Sequence, residues 1–324
     1  MAERCFVRSF CVNLQAKPLI MKKILLLWLL ATPVFAQIPA GKKVISLLYV
    51  YEIASGKSSL ILKEKRHFEA PNWSRDGKFL LINASGKLEK ISPSGEKIGP
   101  LDTDFVQKAN NDHGYSFDGS TLYISSGNPD MKPSGSYIYR VGAEGGKPVL
   151  LTPLSPSYWH GVSPDNRKIV YCASRNGNFD IYQMDSKGGE EIRLTDNEGL
   201  DDGPEYSPDG KYIYINSYRS GMMQIWRMKA DGSDPEQMTF DAMSNWFAHI
   251  APNNKQATII SYLEDQKQAH PFGHQVKLRL LDLKTKKIKD LTEPFYGGQG
   301  TINVPSWSPD GKKFAYVRYE LEDL

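Results

Sequence analysis

Histidine is the residue type whose placement in this sequence most suggests chemistry. The chain has six histidines, and five of them form two groups. The first group, just before a recurring turn, is His113, His160 and His249. The second, in the longest insertion at residues 263–275, is His270 and His274. Imidazole nitrogens and carboxylates together are ligands for Mn, Zn and Fe. The pattern indicates a candidate divalent-metal site; alternatively, these side chains line a wet channel and bond to backbone groups.

A second set of residues, placed before the same turns, suggests a binding surface. It combines two tryptophans with carboxylates and amides: Trp159 and Trp246, with Asn111, Asp112, Asp202, Glu205 and Asn303. An aromatic face packs against the C–H groups of a sugar ring, while neighbouring polar side chains bond to its hydroxyls. The set predicts a ligand-binding site, with an oligosaccharide as one candidate ligand. The alternative is that the aromatic side chains only fill the core.

The turn that positions these residues recurs six times. Its sequence is Ser-Pro-Asp-Gly or a near copy, at residues 74–77, 116–119, 163–166, 207–210, 251–254 and 308–311. Proline presets φ at the second position, Asp or Asn bonds to nearby backbone, and Gly or Asn accepts a positive φ. Successive third residues are 42, 47, 44, 44 and 57 positions apart. Such spacing is typical of a structural repeat.

Each repeat has the pattern of four short strands. Residues 211–215, for example, alternate after their turn, and residues 224–228 form the next strand of the same unit. Four strands in about 44 residues is typical of a propeller blade. The chain ends supply two half units, residues 47–62 and 304–320. We therefore predict an all-β, six-bladed β-propeller as the single domain of residues 37–324, with a ring closed by N-terminal and C-terminal strands that share one blade.

The repeats resemble the TolB-type propeller repeat. The match runs through the whole fourth unit, at residues 207–210, 217–221, 224–226 and 238–239, and the resemblance covers residues 44–320. It implies the propeller fold and favours a non-catalytic propeller that binds an envelope protein or an oligosaccharide at its channel face. Propellers of this type occur in envelope scaffolds, in peptidases and in lyases, so the repeat alone does not define the function.

A weaker resemblance is to the propellers of oligogalacturonate lyases, whose channel centre is rich in histidine and carries a metal. Residues 270–275, together with the histidines that precede the turns, are similar in kind. This resemblance implies an alternative function, a metal-dependent carbohydrate lyase. The metal would neutralise a substrate carboxylate and lower the pKa of the adjacent proton, which a channel base would remove.

The N-terminal region has the layout of a secretory signal peptide. Met21, Lys22 and Lys23 form a short basic start, an apolar run follows at residues 24–30, and Ala36 ends a small-residue cleavage signal. We expect residues 1–36 to be a leader that is removed, with Met21 as the true start. The mature chain is then periplasmic or secreted, and it has no other apolar stretch long enough to span a membrane.

The charge and cysteine content of the remaining chain exclude further classes of function. The first 36 residues carry a net charge of +4 and the whole chain carries +3, which leaves −1 on the rest. Because its basic residues are scattered among acidic ones, we expect no nucleic-acid partner. Cys172 is the only cysteine after the leader, so no internal disulfide can form. We expect a monomer.

Overall fold

The computed structural model describes residues 38–324, so the predicted leader at residues 1–36 lies outside the described residues. Every named element in the described range is a β-strand. The strands form six sheets, which confirms the predicted all-β, six-bladed propeller. Residues 38–324 include no helix that is long and apolar enough to cross a membrane.

Blades 1 to 3 each consist of four strands in chain order, all antiparallel. Blade 1 contains β3 (Glu69–Trp73), β4 (Leu80–Ala84), β5 (Lys87–Ile91) and β6 (Lys97–Pro100). Blade 2 contains β7 (Ala109–Tyr115), β8 (Thr121–Gly127), β9 (Ser136–Gly142) and β10 (Val149–Leu150). Blade 3 contains β11 (Ser157–Val162), β12 (Lys168–Ser174), β13 (Phe179–Asp185) and β14 (Ile192–Arg193).

Blades 4 and 5 follow the same plan, with one extra strand in blade 5. Blade 4 contains β15 (Asp201–Tyr206), β16 (Tyr212–Ser217), β17 (Gln224–Lys229) and β18 (Glu236–Gln237). Blade 5 contains β19 (Ser244–Ile250), β20 (Gln256–Tyr262), β21 (Phe272–Asp282), β22 (Ile288–Asp290) and β23 (Phe295–Gly298). The extra strand, β23, pairs with the first residues of β21, Phe272 to Val276, where the insertion of residues 263–275 ends.

Blade 6 is built from both ends of the described chain. It contains β1 (Lys42–Glu52), β2 (Lys57–Glu64) and β24 (Lys313–Asp323). β1 pairs with β24 along eleven residues, from Lys42 opposite Asp323 to Glu52 opposite Lys313. Contacts of β24 with β23 and with β3 place this blade between blades 5 and 1.

The innermost segment of blade 6 is not a regular strand. It touches β24 through the single bridge between Trp307 and Phe314 and through backbone bonds from Ala315 to Ser306 and from Val317 to Thr301. Pro305 lies in this segment, and a proline has no N–H to donate to a ladder. Blade 6 has three regular strands where a four-stranded blade was expected.

The recurring turns form the contacts that the motif predicts, and they also pack on each other between blades. In blade 4, Ser207 Oγ donates to Asp209 Oδ1 at 2.7 Å, and Gly210 has a φ of 71°. The ring of Pro164, in the turn of blade 3, lies against Gly210, and Pro309 lies against Gly77 in the same way. A turn with the full motif, such as residues 207–210, thus has a proline that can pack on a neighbouring turn and a glycine for its own tight bend.

The five regular inner strands, β3, β7, β11, β15 and β19, all contain a break in register. The breaks follow Glu69, Ala109, Trp159, Asp202 and Trp246 respectively. Three breaks include a residue with positive φ: Ala70 at 54°, Gly203 at 58° and Phe247 at 50°. A bulge bends a strand and redirects its side chains, so the inner strands do not keep a simple alternation between the channel and the blade.

Candidate functional site

The carboxylate of Asp202 joins two of the predicted site histidines, each on a different blade. Its Oδ1 lies 3.3 Å from Nε2 of His160 in blade 3, and its Oδ2 lies 3.4 Å from Nε2 of His270 in the blade 5 insertion. His160 and Asp202 are buried. The rings of Trp246 and Phe247 pack edge-on against His270, with centroids 4.7 and 5.1 Å away. The structure therefore brings three predicted residues together.

Buried charges around this group shift its pKa values in both directions. Burial opposes the ionisation of Asp202, but hydrogen bonds from His160 and His270 outweigh it and hold the pKa of Asp202 well below its usual range. Burial likewise opposes a charge on His160, yet the carboxylates of Asp112 and Asp202 raise its pKa. Burial raises the pKa of Asp112 to about 6 and, with Asp112 as a further cause, raises that of Glu69 to about 8. At neutral pH the group therefore combines an ionised Asp202 carboxylate with a Glu69 carboxyl that keeps its proton.

The other three predicted histidines have partners elsewhere. His113 faces the carbonyl oxygen of Leu81 at 3.4 Å, and burial lowers its pKa to about 4. His249 contacts the Glu205 carboxylate and the Ile302 carbonyl, each at 2.6 Å. His274 packs beside the ring of Tyr262, with centroids 6.2 Å apart. We expected His113, His160, Asp202 and His249 to converge at one end of the channel, with His270 or His274 within reach. The contacts bring His160 and His270 to Asp202, whereas His113, His249 and His274 contact other groups.

This arrangement does not fit a divalent ion. A metal site needs three or more donor atoms directed at one point. In residues 38–324, no group of three or more His, Cys, Asp and Glu side chains has that geometry. The nitrogens of His160 and His270 point to the oxygens of Asp202 instead, at hydrogen-bonding distances. We therefore derive no chemistry that passes through a metal.

The two predicted sugar-stacking tryptophans are part of the core. Trp159 is 1 % exposed and stacks on Tyr123 of blade 2, and Trp246 is 0 % exposed, with its Nε1 donating to Ser244. The predicted polar residues Asn111, Asp112 and Asn303 are also buried. Neither indole face is free to stack on a sugar ring. The structure thus supports the alternative reading, in which these aromatic side chains fill the core.

A different site lies at the other end of the inner strands, where the strands enter the turns. A cavity of about 380 Å³ opens there, and we call it the turn-side funnel. All six residues that directly precede a turn line it: Trp73, Tyr115, Val162, Tyr206, Ile250 and Trp307. Five of the six second turn residues also line it: Arg75, Phe117, Pro208, Pro252 and Pro309. The funnel is therefore built by the repeat itself.

Charged groups are sparse in the funnel. The only charged residues among its lining are Arg75 and Glu205. The Arg75 guanidinium lies 4.6 Å from the ring centroid of Phe117 and donates to the carbonyl oxygens of Ser116 and Tyr115 at 3.0 and 3.2 Å. Glu205, two residues before its turn, is bonded to His249 and to the Ile250 N–H. Of the predicted site residues, Glu205 and Trp159 reach this cavity.

Sequence reasoning missed the funnel although its signal was present. The second turn residue is Pro in four repeats, whereas Arg75 and Phe117 replace it in two adjacent repeats. The turn has the same structural role in every repeat, so the motif alone does not distinguish these two positions. The departures from the repeat were the informative residues.

The fold and the site place this chain in the class of six-bladed β-propellers with a cavity lined by all six blades. The TolB β-propeller domain family matches residues 153–303. An uncharacterized protein of Agrobacterium fabrum is 45 % identical over 283 residues, which cover 86 % of this chain and 94 % of that protein. A solved structure of a candidate TolB protein from Agrobacterium tumefaciens is 44 % identical with a TM-score of 0.81, covering 86 % of this chain and 99 % of that one. The chain belongs to the TolB-like β-propeller family.

The likeness to oligogalacturonate lyases is a likeness of fold. A solved structure of such a lyase in complex with manganese has a TM-score of 0.51 at 12 % identity, covering 86 % of this chain and 96 % of that one. The resemblance stated from the sequence is confirmed at this level. Identity this low carries no statement about activity.

Proposed function

We propose that this chain is an exported TolB-like propeller that binds a segment of an envelope protein in the turn-side funnel. The funnel itself is the observation that carries the proposal. Its volume of about 380 Å³ lies in the range of cavities that bind small ligands or single side chains. Three Trp, two Tyr and one Phe line it together with one Arg. Trp, Tyr and Arg are the residues most enriched at the energetic centres of protein interfaces.

A protein segment fits the funnel better than an oligosaccharide does. Sugar hydroxyls need several polar partners when they are buried. The funnel lining is mostly proline, aromatic and aliphatic, both oxygens of Glu205 already accept or share hydrogen bonds, and Arg75 uses two of its three nitrogens on backbone carbonyls. Apolar and aromatic side chains of a peptide require no such partners and gain from burial in the cavity. We therefore take the ligand to be a protein.

The lyase hypothesis has less support. A proton-abstracting base needs access to its substrate. His160 and His249 are 6 % and 3 % exposed, and both contact carboxylates within the fold. These histidines act in the structure as links between blades.

Site-directed photocrosslinking tests this proposal. A benzophenone amino acid replaces Pro252 at the funnel, and a matched control carries it at Val149, a 47 % exposed residue on the outermost strand of blade 2. In cells that export the protein into their envelope, we expect position 252 to form a discrete crosslinked protein adduct. Position 149 should form no such adduct. Equal labelling at both positions, or none at 252, would contradict a funnel-bound protein partner.

Export is tested separately. We infer from the signal-peptide layout that the mature protein begins at or near Gln37. N-terminal sequencing of protein from the envelope fraction should find this start. Recovery of soluble protein in the cytoplasm with residues 1–36 intact would overturn the export proposal without affecting the binding proposal.

A further inference from the structure

Arg75 takes the place of a proline in the ring of turns that surrounds the funnel. The equivalent position holds Pro164, Pro208, Pro252 and Pro309 in four other blades. In the packing between blades, the Cβ of Arg75 lies against Gly119 of the next turn, as the prolines lie against theirs. The Arg75 side chain is therefore not needed to build the ring, since the repeat builds the same contact with proline.

The guanidinium of Arg75 is held in place along the funnel wall. Nε and Nη2 donate to carbonyl oxygens of blade 2, and the ring of Phe117 lies beneath the guanidinium. Within residues 38–324, Nη1 makes no hydrogen bond and Arg75 makes no salt bridge. Burial lowers the pKa of Arg75, with Glu205 and Asp118 opposing this effect. A cation in an apolar cavity, with one fixed donor free, is an arrangement suited to an anionic group.

Glu205 determines where in the funnel that anion can lie. Glu205 lies on the inner strand β15, two residues before its turn, and is therefore further from the turn than Tyr206 is. A second carboxylate beside it would be repelled. The deep part of the funnel therefore accepts an uncharged, apolar group, while the outer wall at Arg75 accepts a carboxylate. A chain terminus that enters the funnel carboxylate first is disfavoured.

Resting on the function proposed above, we propose that Arg75 determines specificity by pairing with the carboxylate of a Glu or Asp side chain in the bound protein segment. The neighbouring bulky apolar side chain of that segment fills the deeper funnel between Trp73, Tyr115 and Trp307. Phe117 positions the guanidinium for this contact. The planar fork of Arg suits a carboxylate better than a lysine ammonium does.

Ligand-observed NMR titrations with two blocked dipeptides test this inference. The probes are N-acetyl-Trp-Glu-amide and its uncharged analogue N-acetyl-Trp-Gln-amide. The variants are Arg75→Pro, which restores the proline of the other repeats, and Arg75→Lys. The matched control is Arg167→Gln, which removes an 81 % exposed arginine from the blade 3 turn, outside the funnel lining.

We expect the wild type to bind the Glu probe at least about tenfold more tightly than the Gln probe, as one charge-assisted pair predicts. Arg75→Pro should abolish this preference and leave binding of the Gln probe nearly unchanged. Arg75→Lys should retain part of the preference, and Arg167→Gln should retain all of it. Unfolding midpoints of the variants confirm that they fold.

Two outcomes would overturn the inference. The first is equal binding of the two probes by the wild type, and the second is a Glu preference that survives in Arg75→Pro. Failure of both probes to bind the wild type at millimolar concentration overturns it as well. None of these results removes the adduct expected at position 252, so the proposed function stands or fails on its own experiment.

Discussion

His249 and Glu205 link blades 4 and 5 through a buried contact between the Nδ1 atom and the Oε2 atom at 2.6 Å. The other ring nitrogen of His249 lies 2.6 Å from the carbonyl oxygen of Ile302, in the segment that leads into blade 6. Both neighbours of the ring are acceptors, so each bond forms only when its own nitrogen carries a hydrogen. One side chain thus connects three successive parts of the ring.

Removing this link should destabilise the propeller. His249→Ala leaves the Ile302 carbonyl unpaired and deprives Glu205 of one partner, so we expect the free energy of unfolding to fall by about 3 kcal/mol. His274→Ala is the control, because His274 only packs beside Tyr262, and we expect a loss below about 1 kcal/mol. Urea denaturation followed by tryptophan fluorescence measures both. Equal losses in the two variants would show that the blade link carries no special stability.

The buried carboxyl of Glu69 should make stability fall as pH rises. Its pKa is about 8 in the folded protein, raised from 4.5 chiefly by burial. The unfolded chain releases this proton from about pH 4.5, whereas the folded chain keeps it until about pH 8, so stability declines between these values. Glu69→Gln keeps the acceptor for Asn83 and removes the titration. Urea unfolding at several pH values should give a smaller decline for this variant; an unchanged decline would exclude Glu69 as its source.

His113 should act in the opposite direction, at acid pH. Its pKa is lowered from 6.5 to about 4 by burial, so the folded protein holds it neutral where the unfolded chain takes up a proton. Stability is therefore lost as pH falls from about 6.5 to about 4. His113→Gln should reduce this loss by an amount on the order of 3 kcal/mol or less. This reduction is measured by taking the difference between the unfolding free energies at pH 7 and pH 4.5 for each protein and comparing the variant with the wild type.

The sequence sufficed to predict the fold because the turn motif is a local signal. Ser207 and Asp209 bond to each other and Gly210 takes a positive φ with little help from the rest of the chain. Six copies with a regular spacing then specify six blades. The prediction exceeded the structure in blade 6, where the segment before the turn forms a single bridge with β24 in place of a regular inner strand.

The site could not be predicted to the same depth, because it depends on register and on partners from other blades. A bulge of one residue reverses which face a side chain occupies, and the sequence gives no sign of the bulge after Trp159 or after Trp246. The sequence did predict that Asp202, His160 and His270 lie near each other. That His249 would turn to Glu205 and Ile302 depends on distances between blades that no spacing encodes.

Metal analysis provides the remaining test of the histidine cluster. Asp202 is already bonded to His160 and His270, and no described group of three or more His, Cys, Asp and Glu side chains is arranged around an ion. We therefore expect wild-type protein, purified without a His tag, to hold well under one Mn, Zn or Fe ion per chain. Added Mn²⁺ should leave its thermal midpoint unchanged, since only an ion that binds the folded state raises it. Asp202→Asn should lower that midpoint, because the buried His160 and the partly exposed His270 lose their anionic partner, and should not change the metal content. One bound ion per wild-type chain that disappears in Asp202→Asn would instead restore the metal hypothesis and require the cluster to rearrange on binding.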